Sequence, residues 1–117
     1  GINYPNKSDK IRNNKVSPGS DIYIHGGCMT IGCIPITNEK IKELYTLVNI
    51  SKKHTSKTPI HFFPFKMTKR NMKKYTHQFP EHESFWKELE PFYKKFEDTK
   101  SIPTFEVNSQ GKYVGLN

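Results

Sequence analysis

Two short extended segments joined by a glycine-containing turn constrain the fold of this chain more than any other part of its sequence. Residues 21–25 alternate isoleucine with other side chains and end on a histidine, a pattern typical of a β-strand. Gly26 and Gly27 then end the strand, and a second extended segment, residues 32–36, begins with a glycine and Cys33. The pattern therefore predicts a histidine and a cysteine at the ends of neighbouring strands.

The histidine and the cysteine are the side chains that thiol-based acyl transfer requires. A cysteine attacks as the thiolate, and it needs a nearby base or a positive field to ionise near neutral pH. His25 is the histidine nearest to Cys33 in sequence, and the backbone carbonyl of Gly26 is a candidate to orient its ring. Gly32 allows backbone N–H groups to turn toward one point, as an oxyanion hole requires. The residues alone thus favour a nucleophile at position 33.

Other roles for the two cysteines stay open at this point. His25, Cys28 and Cys33 could ligate zinc together with His54 or His61. The spacing lacks a paired Cys-x-x-Cys or His-x-x-x-His element, so zinc binding is the less favoured interpretation. Cys33 could instead be a small core residue, and Cys28 could be structural or could form a regulatory disulfide with Cys33. We expect no metal and no cofactor.

Charge limits the partners that such a chain can bind. A formal net charge of +8 and a pI of about 9.5 fit nucleic acid, an anionic membrane surface or an acidic cell-wall polymer. Cations without any acid lie between Phe65 and Pro80, and they are Lys66, Lys69, Arg70, Lys73 and Lys74. A solvated helix face explains them most simply, and a non-catalytic basic cell-wall-binding module is the functional alternative. Nucleic acid is not the expected partner, because basic residues do not interleave with aromatic ones outside the long C-terminal helix.

The length and the first residues bear on domain organisation. A chain of 117 residues fits one small domain, and no apolar run approaches the roughly 20 residues of a membrane helix. No signal peptide is visible. The first residues, 1–4, resemble the interior of a domain, so we expect a single domain over residues 1–117 that lacks its N-terminal strands.

Hydrophobic periodicity predicts a mixed α+β chain. The predicted elements are a short helix over 8–12, strands over 21–25 and 32–36, a helix over 38–51, a buried strand over 59–65, helices over 69–77 and 82–100, and strands over 104–107 and 113–114. Thr37 and Thr68 are candidate N-caps. Pro91 predicts a kink or a restart in the last helix, because proline cannot donate its backbone hydrogen bond.

Two of the predicted helices carry apolar stripes that should dock onto the rest of the chain. The stripe of the helix over 38–51 contains Ile41, Leu44, Tyr45 and Val48. The stripe of the last helix contains Phe85, Leu89, Phe92 and Phe96, with Trp86 and Tyr93 beside it. Aromatic residues at this spacing are typical of a docking face rather than of a ligand site.

The glycine-containing stretch resembles the active-site signature of the L,D-transpeptidase catalytic domain, the YkuD-like family. That family carries a His-Gly turn followed by Ser/Thr-x-Gly-Cys, and here these lie at residues 25–26 and 30–33. The divergent YafK-type branch is the closer match, because residues 24–35, Tyr45 in the following helix and residues 59–67 all fit its pattern. The resemblance covers most of the chain.

This resemblance implies a fold and a set of site residues. The fold is a partial YkuD-like domain, α+β and rich in β-structure, with amphipathic helices after the cysteine and near the C-terminus. The implied catalytic residues are Cys33 as nucleophile, His25 as general base and acid, and Gly26 as the residue whose backbone oxygen orients the histidine. The implied oxyanion donors are the backbone N–H groups of Ile31, Gly32 and Cys33, and Thr30 takes the family's Ser/Thr position.

The resemblance also implies a substrate and a location. The family forms an acyl-enzyme with a peptidoglycan stem peptide and passes the acyl group to a diaminopimelate amine or to a lipoprotein lysine. The expected location is the periplasm or cell envelope. Pro35 stands where most transpeptidases have an arginine, and the insertion between histidine and cysteine is short. Both departures keep hydrolysis of diaminopimelate-linked bonds, such as those to an attached lipoprotein, as the alternative reaction.

Overall fold

The chain contains helices and a few very short strands joined by irregular segments, in a computed structural model that describes residues 1–13 and 16–117. The elements are α1 (Lys7–Arg12), β1 (Ile24–His25), β2 (Ile34–Pro35), α2 (Asn38–Ser51), α3 (Lys69–Gln78), a 3₁₀ turn (Pro80–His82), α4 (Glu83–Thr99), β3 (Glu106–Val107) and β4 (Tyr113–Val114). The α+β class predicted from the sequence is confirmed. The β-rich, YkuD-like arrangement stays a prediction, since the strands described are each two residues long.

The chain divides into two compact units, residues 1–59 and residues 60–117. The first unit contains α1, β1, β2 and α2, and the second contains α3, α4 and the β3–β4 hairpin. The two units are described separately below, and the single domain over residues 1–117 stays a prediction.

Strands β1 and β2 form a parallel pair in the first unit. The backbone N–H groups of Ile34 and Ile36 donate to the carbonyls of Tyr23 and His25 at 2.9 and 3.0 Å. Pro35 lies between these two donors, so its missing N–H is not needed for the pairing. This explains how a proline fits within the strand that follows the cysteine.

Side chains cap α2 and α3 where the sequence predicted that they would, and a cap that was not predicted begins α1. The hydroxyls of Thr37 and Thr68 accept from backbone N–H groups three residues further on, at 3.4 and 3.2 Å. Asn6 caps α1 with a reciprocal pair of bonds, because its amide oxygen accepts from Asp9 N and the Asp9 carboxylate accepts from Asn6 N. Local chemistry therefore sets where these three helices begin.

Helix α2 has the predicted bounds but buries less than its periodicity suggested. Its inward face consists of Ile41, Leu44 and Val48, which are partly buried. Tyr45, which we assigned to the same face, is 68% exposed, and none of the residues of α2 is fully buried. The prediction was wrong for Tyr45 because one helical face can be drawn in more than one way from neighbouring apolar positions.

Methionine and aromatic side chains form the core of the second unit. Met67 is 1% exposed, and Met72 of α3 and Trp86 of α4 are each 8% exposed. The partly buried residues packed against these three are Phe63, Phe65, Tyr75, Leu89 and Tyr93. Since methionine adapts to irregular gaps between rings, this composition suits a core built mainly from aromatic residues.

Residues 59–65 are not the strand that the sequence predicted. Exposed Ile60 and Phe62 alternate with partly buried Phe63 and Phe65, as in a half-buried strand, but no ladder of hydrogen bonds pairs this segment with any described neighbour. Prolines at both ends of the segment remove two backbone donors. A continuous apolar run thus predicted burial on two faces, whereas the segment packs one face on the core.

Helix α4 continues through Pro91 as one element of 17 residues, so the predicted restart was wrong. Trp86 and Phe92, on either side of the proline in sequence, are both buried, and their packing outweighs one lost backbone bond. The docking face also differs from the predicted stripe. Leu89 and Tyr93 accompany Trp86 in the core, while Phe85 is 36% exposed.

The predicted C-terminal hairpin is present in a shorter form. Strands β3 and β4 are antiparallel, and the side chain of Asn108 accepts from the backbone N–H groups of Gln110 and Lys112 at 2.9 Å each. Tyr113 N donates to the Glu88 carboxylate at 2.8 Å, which ties the hairpin to α4.

His61 is expected to make the protein less stable in mild acid. Its ring packs edge-on to Phe63 and Phe105, at 6.4 and 5.7 Å between centroids, and burial lowers the pKa of His61 below its ordinary value of 6.5. The unfolded chain therefore takes up a proton more readily than the folded one, so stability is full at neutral pH and falls as pH drops below that value. Thermal unfolding midpoints of the wild type and His61→Leu, measured at neutral and mildly acidic pH, should diverge, with the variant losing less on acidification. The exposed histidine of α3 offers the matched control, His77→Leu, and an acid loss in His61→Leu equal to that of the control would contradict the assignment.

Candidate active site

The imidazole of His25 is held at both of its nitrogens. Nδ1 lies 2.5 Å from the backbone oxygen of Gly26, and Nε2 lies 3.3 Å from the hydroxyl oxygen of Thr30. A carbonyl can only accept, so Nδ1 carries the hydrogen, and the Nε2 of the neutral ring is an acceptor. This tautomer, assigned from the hydrogen bonds, leaves Nε2 as the nitrogen that can take up a proton.

Cys33 lies immediately before β2 with a partly buried side chain. Its Sγ donates to the backbone oxygen of Asp21 at 3.8 Å. Among residues 1–13 and 16–117, no hydrogen bond joins this thiol to His25, so the predicted thiol–imidazole pair is not formed directly in this conformation. The catalytic roles of both residues stay predictions.

The register of the strands explains why the two side chains are apart. His25 lies opposite Pro35, and Ile24 lies opposite Ile34. If the same register continues, Cys33 lies opposite the residue two positions before His25. This is an offset of about 6.6 Å along the parallel strands. Alternation also places positions two apart on the same face of the pair. A change of side-chain rotamer, rather than a shift of the strands, is therefore the motion that would bring Sγ toward Nε2.

Asn38, the first residue of α2, fixes the glycine turn and was missed at the level of sequence. Its amide oxygen accepts from Gly27 N at 3.0 Å, and Thr37 N donates to the backbone oxygen of Gly27 at the same distance. The helix start thus holds the loop that presents the His25 ring. An asparagine directly after a capping threonine was the signal available, but it also fits a simple helix start.

Gly26 allows close packing of α2 against β1, in addition to the contact that its carbonyl makes with His25. A Cβ built on Gly26 would lie 2.5 Å from Oδ1 of Asn38 and 3.1 Å from Cγ2 of Ile41. The first distance is shorter than any ordinary contact, so α2 can approach β1 this closely only because residue 26 has no side chain.

Replacement of Gly26 by alanine is expected to displace Asn38 and loosen the turn. Loss of the Gly27–Asn38 hydrogen bond and the new overlap should together lower the free energy of unfolding by about 1–3 kcal/mol. Urea unfolding followed by circular dichroism measures this change. Gly19→Ala shows the cost of backbone strain without overlap, since its Cβ would meet nothing within 4 Å and its φ is positive. A Gly26→Ala loss below about 0.5 kcal/mol, the range of a neutral surface substitution, would contradict the close-packing role.

The predicted oxyanion donors lie on an exposed turn. Ile31 is fully exposed, and Gly32 has a φ of +88°, which favours glycine. Within the part of the chain that the structure describes, the backbone N–H groups of Ile31, Gly32 and Cys33 donate no hydrogen bond. They are thus available to a substrate oxygen, although their role stays a prediction.

The structure bears on two alternative roles of the cysteines, a disulfide and a metal site. Cys28 is exposed and both cysteines are free thiols, so the disulfide considered from the sequence is not formed in this structure. No group of three or more histidine, cysteine or acidic side chains among the described residues is arranged to hold a metal ion. Outside residues 14 and 15, the chain contains no helix with the length and apolar character needed to span a bilayer.

Comparison with known proteins places this geometry in context. The chain is 34% identical over 114 residues to the curated protein named "Putative L,D-transpeptidase YafK" from Escherichia coli (strain K12), and equally to the protein of that name from Escherichia coli O157:H7. The matched segment is 97% of this chain but 44% of each relative, so the chain spans less than half of their length. No model of a known protein family matches. The resemblance to the YafK-type L,D-transpeptidases that the sequence motifs indicated is confirmed.

Proposed function

We propose that this chain carries the catalytic residues of a peptidoglycan-modifying cysteine acyltransferase of the L,D-transpeptidase type. The observation that supports this most directly is the orientation of His25. Its Nδ1 faces the Gly26 carbonyl, so its Nε2 is the nitrogen that can accept a proton. His25 lies on β1, and β1 pairs with the strand that follows Cys33. The similarity to the two Escherichia coli proteins supports the same assignment.

The proposed reaction proceeds through a thioester on Cys33. The thiol turns from the Asp21 carbonyl and gives its proton to Nε2 of His25, and the thiolate attacks the carbonyl carbon of a stem-peptide bond. Backbone N–H groups of Ile31, Gly32 and Cys33 stabilise the oxyanion. The carbon–nitrogen bond then breaks, and the leaving amine takes the proton back from His25.

The acceptor that attacks the thioester decides whether the reaction is transfer or hydrolysis. An amine of a diaminopimelate residue gives His25 a proton, attacks the thioester carbonyl and forms a new amide bond, and the Cys33 thiol is restored. Water in the same role gives hydrolysis. Thr30 supports either course, since its hydroxyl holds Nε2 in position until the thiol approaches.

Hydrolysis is the second candidate, and exposure of the loop beside the site favours it. Met29 is 86% exposed and Ile31 is fully exposed, so water reaches the region where the thioester would form. Pro35 also supplies no cation to hold the carboxylate of an incoming amine. In this case the substrate is a diaminopimelate-linked bond, including one to an attached lipoprotein, and the site of action is the cell envelope.

Incubation of the protein with a diaminopimelate-containing muropeptide, with and without an added amine acceptor, tests these proposals. A product that incorporates the acceptor indicates transfer, whereas a product that has gained one water indicates hydrolysis, and mass spectrometry distinguishes them. A Cys33→Ala sample run in parallel sets the background. Product profiles that match that background in every condition would exclude both reactions and leave the basic, non-catalytic cell-wall module as the remaining function.

A further inference from the structure

Helix α3 presents one continuous cationic face to solvent. At 3.6 residues per turn, Lys69 and Lys73 form one row along this face. Arg70 and Lys74 form the row beside it. All four side chains are exposed, whereas Met72 is buried on the side of the helix that packs on the core. We call these four cations the basic face, and the proposed function uses none of them.

Lys66 adds a fifth cation beside the start of the helix. Its backbone oxygen accepts from Nδ2 of Asn71 at 2.8 Å, so the residue is held against the first turn, and its side chain is exposed. Among residues 1–13 and 16–117, no ion pair joins any of the five cations to a carboxylate. Glu81, the first acid after the helix, lies 3.8 Å from Nε2 of His82 instead.

Helix α4 shows the opposite arrangement of charge. Lys87 Nζ lies 2.6 Å from the Glu83 carboxylate, and Lys94 Nζ lies 2.7 Å from that of Glu90, each four residues earlier. On the basic face, residues four apart are both cations, which disfavours a helix. The first turn of α3 also has no acid to complement the helix dipole. The stability of the fold therefore does not explain the basic face.

The composition of the basic face favours a broad anionic surface over a ligand of defined shape. Three of its four cations are lysines, which are point charges on flexible stems, whereas the planar fork of arginine suits a single phosphate or carboxylate. Tyr75, the tyrosine of α3, is half-buried and packs 4.5 Å from the ring of Phe65. The helix thus does not offer this ring for the stacking that single-stranded nucleic acids require.

We propose that the basic face binds the surface of a lipid bilayer that contains anionic headgroups. Clusters of lysine and arginine on one helix are typical of such binding. A convex helix face can lie along a planar surface and bring both of its rows close to the headgroups. Each cation near the surface strengthens the binding about fivefold, so the basic face and Lys66 together supply an attraction that a single ion pair cannot.

Sedimentation with sucrose-loaded vesicles measures this binding without any turnover, so the test is independent of the proposed acyltransferase activity. Vesicles of phosphatidylglycerol and phosphatidylcholine in equal parts should bind the chain, and vesicles of phosphatidylcholine alone should bind it at least about tenfold more weakly. An increase in salt from about 0.05 to about 0.5 M should weaken binding to the anionic vesicles by about tenfold or more, because exposed charges are screened.

A double variant of the basic face and a matched pair on α4 assign the binding. Lys69→Gln combined with Lys73→Gln should weaken binding to the anionic vesicles by about 10- to 30-fold. Its thermal unfolding midpoint should not fall, since two like charges are removed from one row. Lys87→Gln combined with Lys94→Gln changes the net charge equally. Because those lysines already pair with acids, this control should bind within about threefold of the wild type.

Three outcomes would overturn the proposal. Anionic vesicles that bind no better than phosphatidylcholine at low salt would leave the basic face as a solvated surface. Equal weakening by the two double variants would show that net charge, and not this face, decides the binding. Release of most of the protein by poly-glutamate, added at the same concentration of charge as the anionic lipid, would assign the face to an acidic polymer.

Discussion

Muropeptide turnover is expected to be lost when Cys33 is replaced by alanine. Alanine removes the nucleophile, and loss of a nucleophile in acyl-transfer enzymes lowers the rate by about 10⁴-fold or more. The fold should be kept, because the thiol is only partly buried and makes one weak bond to the Asp21 carbonyl. Product formation measured by mass spectrometry, with circular dichroism to check folding, tests the expectation.

The second cysteine supplies the matched control for this experiment. Cys28 is exposed and five positions away, and Cys28→Ala should retain turnover within about twofold of the wild type, as is usual for a surface substitution. A carbapenem, which acylates such thiols, should add its mass to the wild type and to Cys28→Ala but not to Cys33→Ala. An adduct that moves to Cys28, or turnover that survives Cys33→Ala, would assign the chemistry to another residue.

His25 should be needed for the same reaction through its nitrogens. His25→Gln keeps hydrogen-bonding atoms near Gly26 and Thr30 but removes the ring nitrogen that would accept the thiol proton. Turnover should fall by about 10²- to 10⁴-fold, the range typical of a lost general base. The same product assay measures it, and a wild-type rate in His25→Gln would contradict the proposed role.

Features of this chain that depend on local chemistry could be predicted from the sequence. The bounds of α2 follow from Thr37 and from the apolar repeat behind it, and the turn at Asn108 follows from side-chain bonds two and four residues away. The contact of His25 with the Gly26 carbonyl is likewise between neighbours in sequence. These features need no knowledge of distant partners, so residue type and spacing suffice.

Features that depend on distant partners could not be predicted in the same way. Residues 59–65 have the composition of a strand, but a strand also needs a neighbour to pair with, and composition does not supply one. Pro91 lowers local helix propensity, yet the burial of Trp86 and Phe92 decides in favour of one helix. Asn38 fixes the glycine turn after His25 through a contact 11 residues away, which its position at a helix start did not reveal.

The largest loss of stability is expected from Trp86→Ala. The side chain is 8% exposed and contacts Phe65 and Phe79 edge-to-face, in the core that also contains Met67 and Met72. Truncation of a buried tryptophan to alanine costs about 3–5 kcal/mol of unfolding free energy, through lost burial and the cavity left behind. A domain of this size is stabilised by roughly 5–15 kcal/mol in total, so the variant should lose a large share of its stability.

Urea unfolding followed by far-ultraviolet circular dichroism is the suitable measurement, since the variant has lost the only tryptophan. Phe62→Ala removes a ring of similar kind from an exposed position, and it should cost less than about 1 kcal/mol. Trp86→Phe keeps a ring in the core and should recover more than half of the loss, because much of the cavity is refilled. Equal losses for Trp86→Ala and Phe62→Ala would place the stabilising core of the second unit somewhere other than around Trp86.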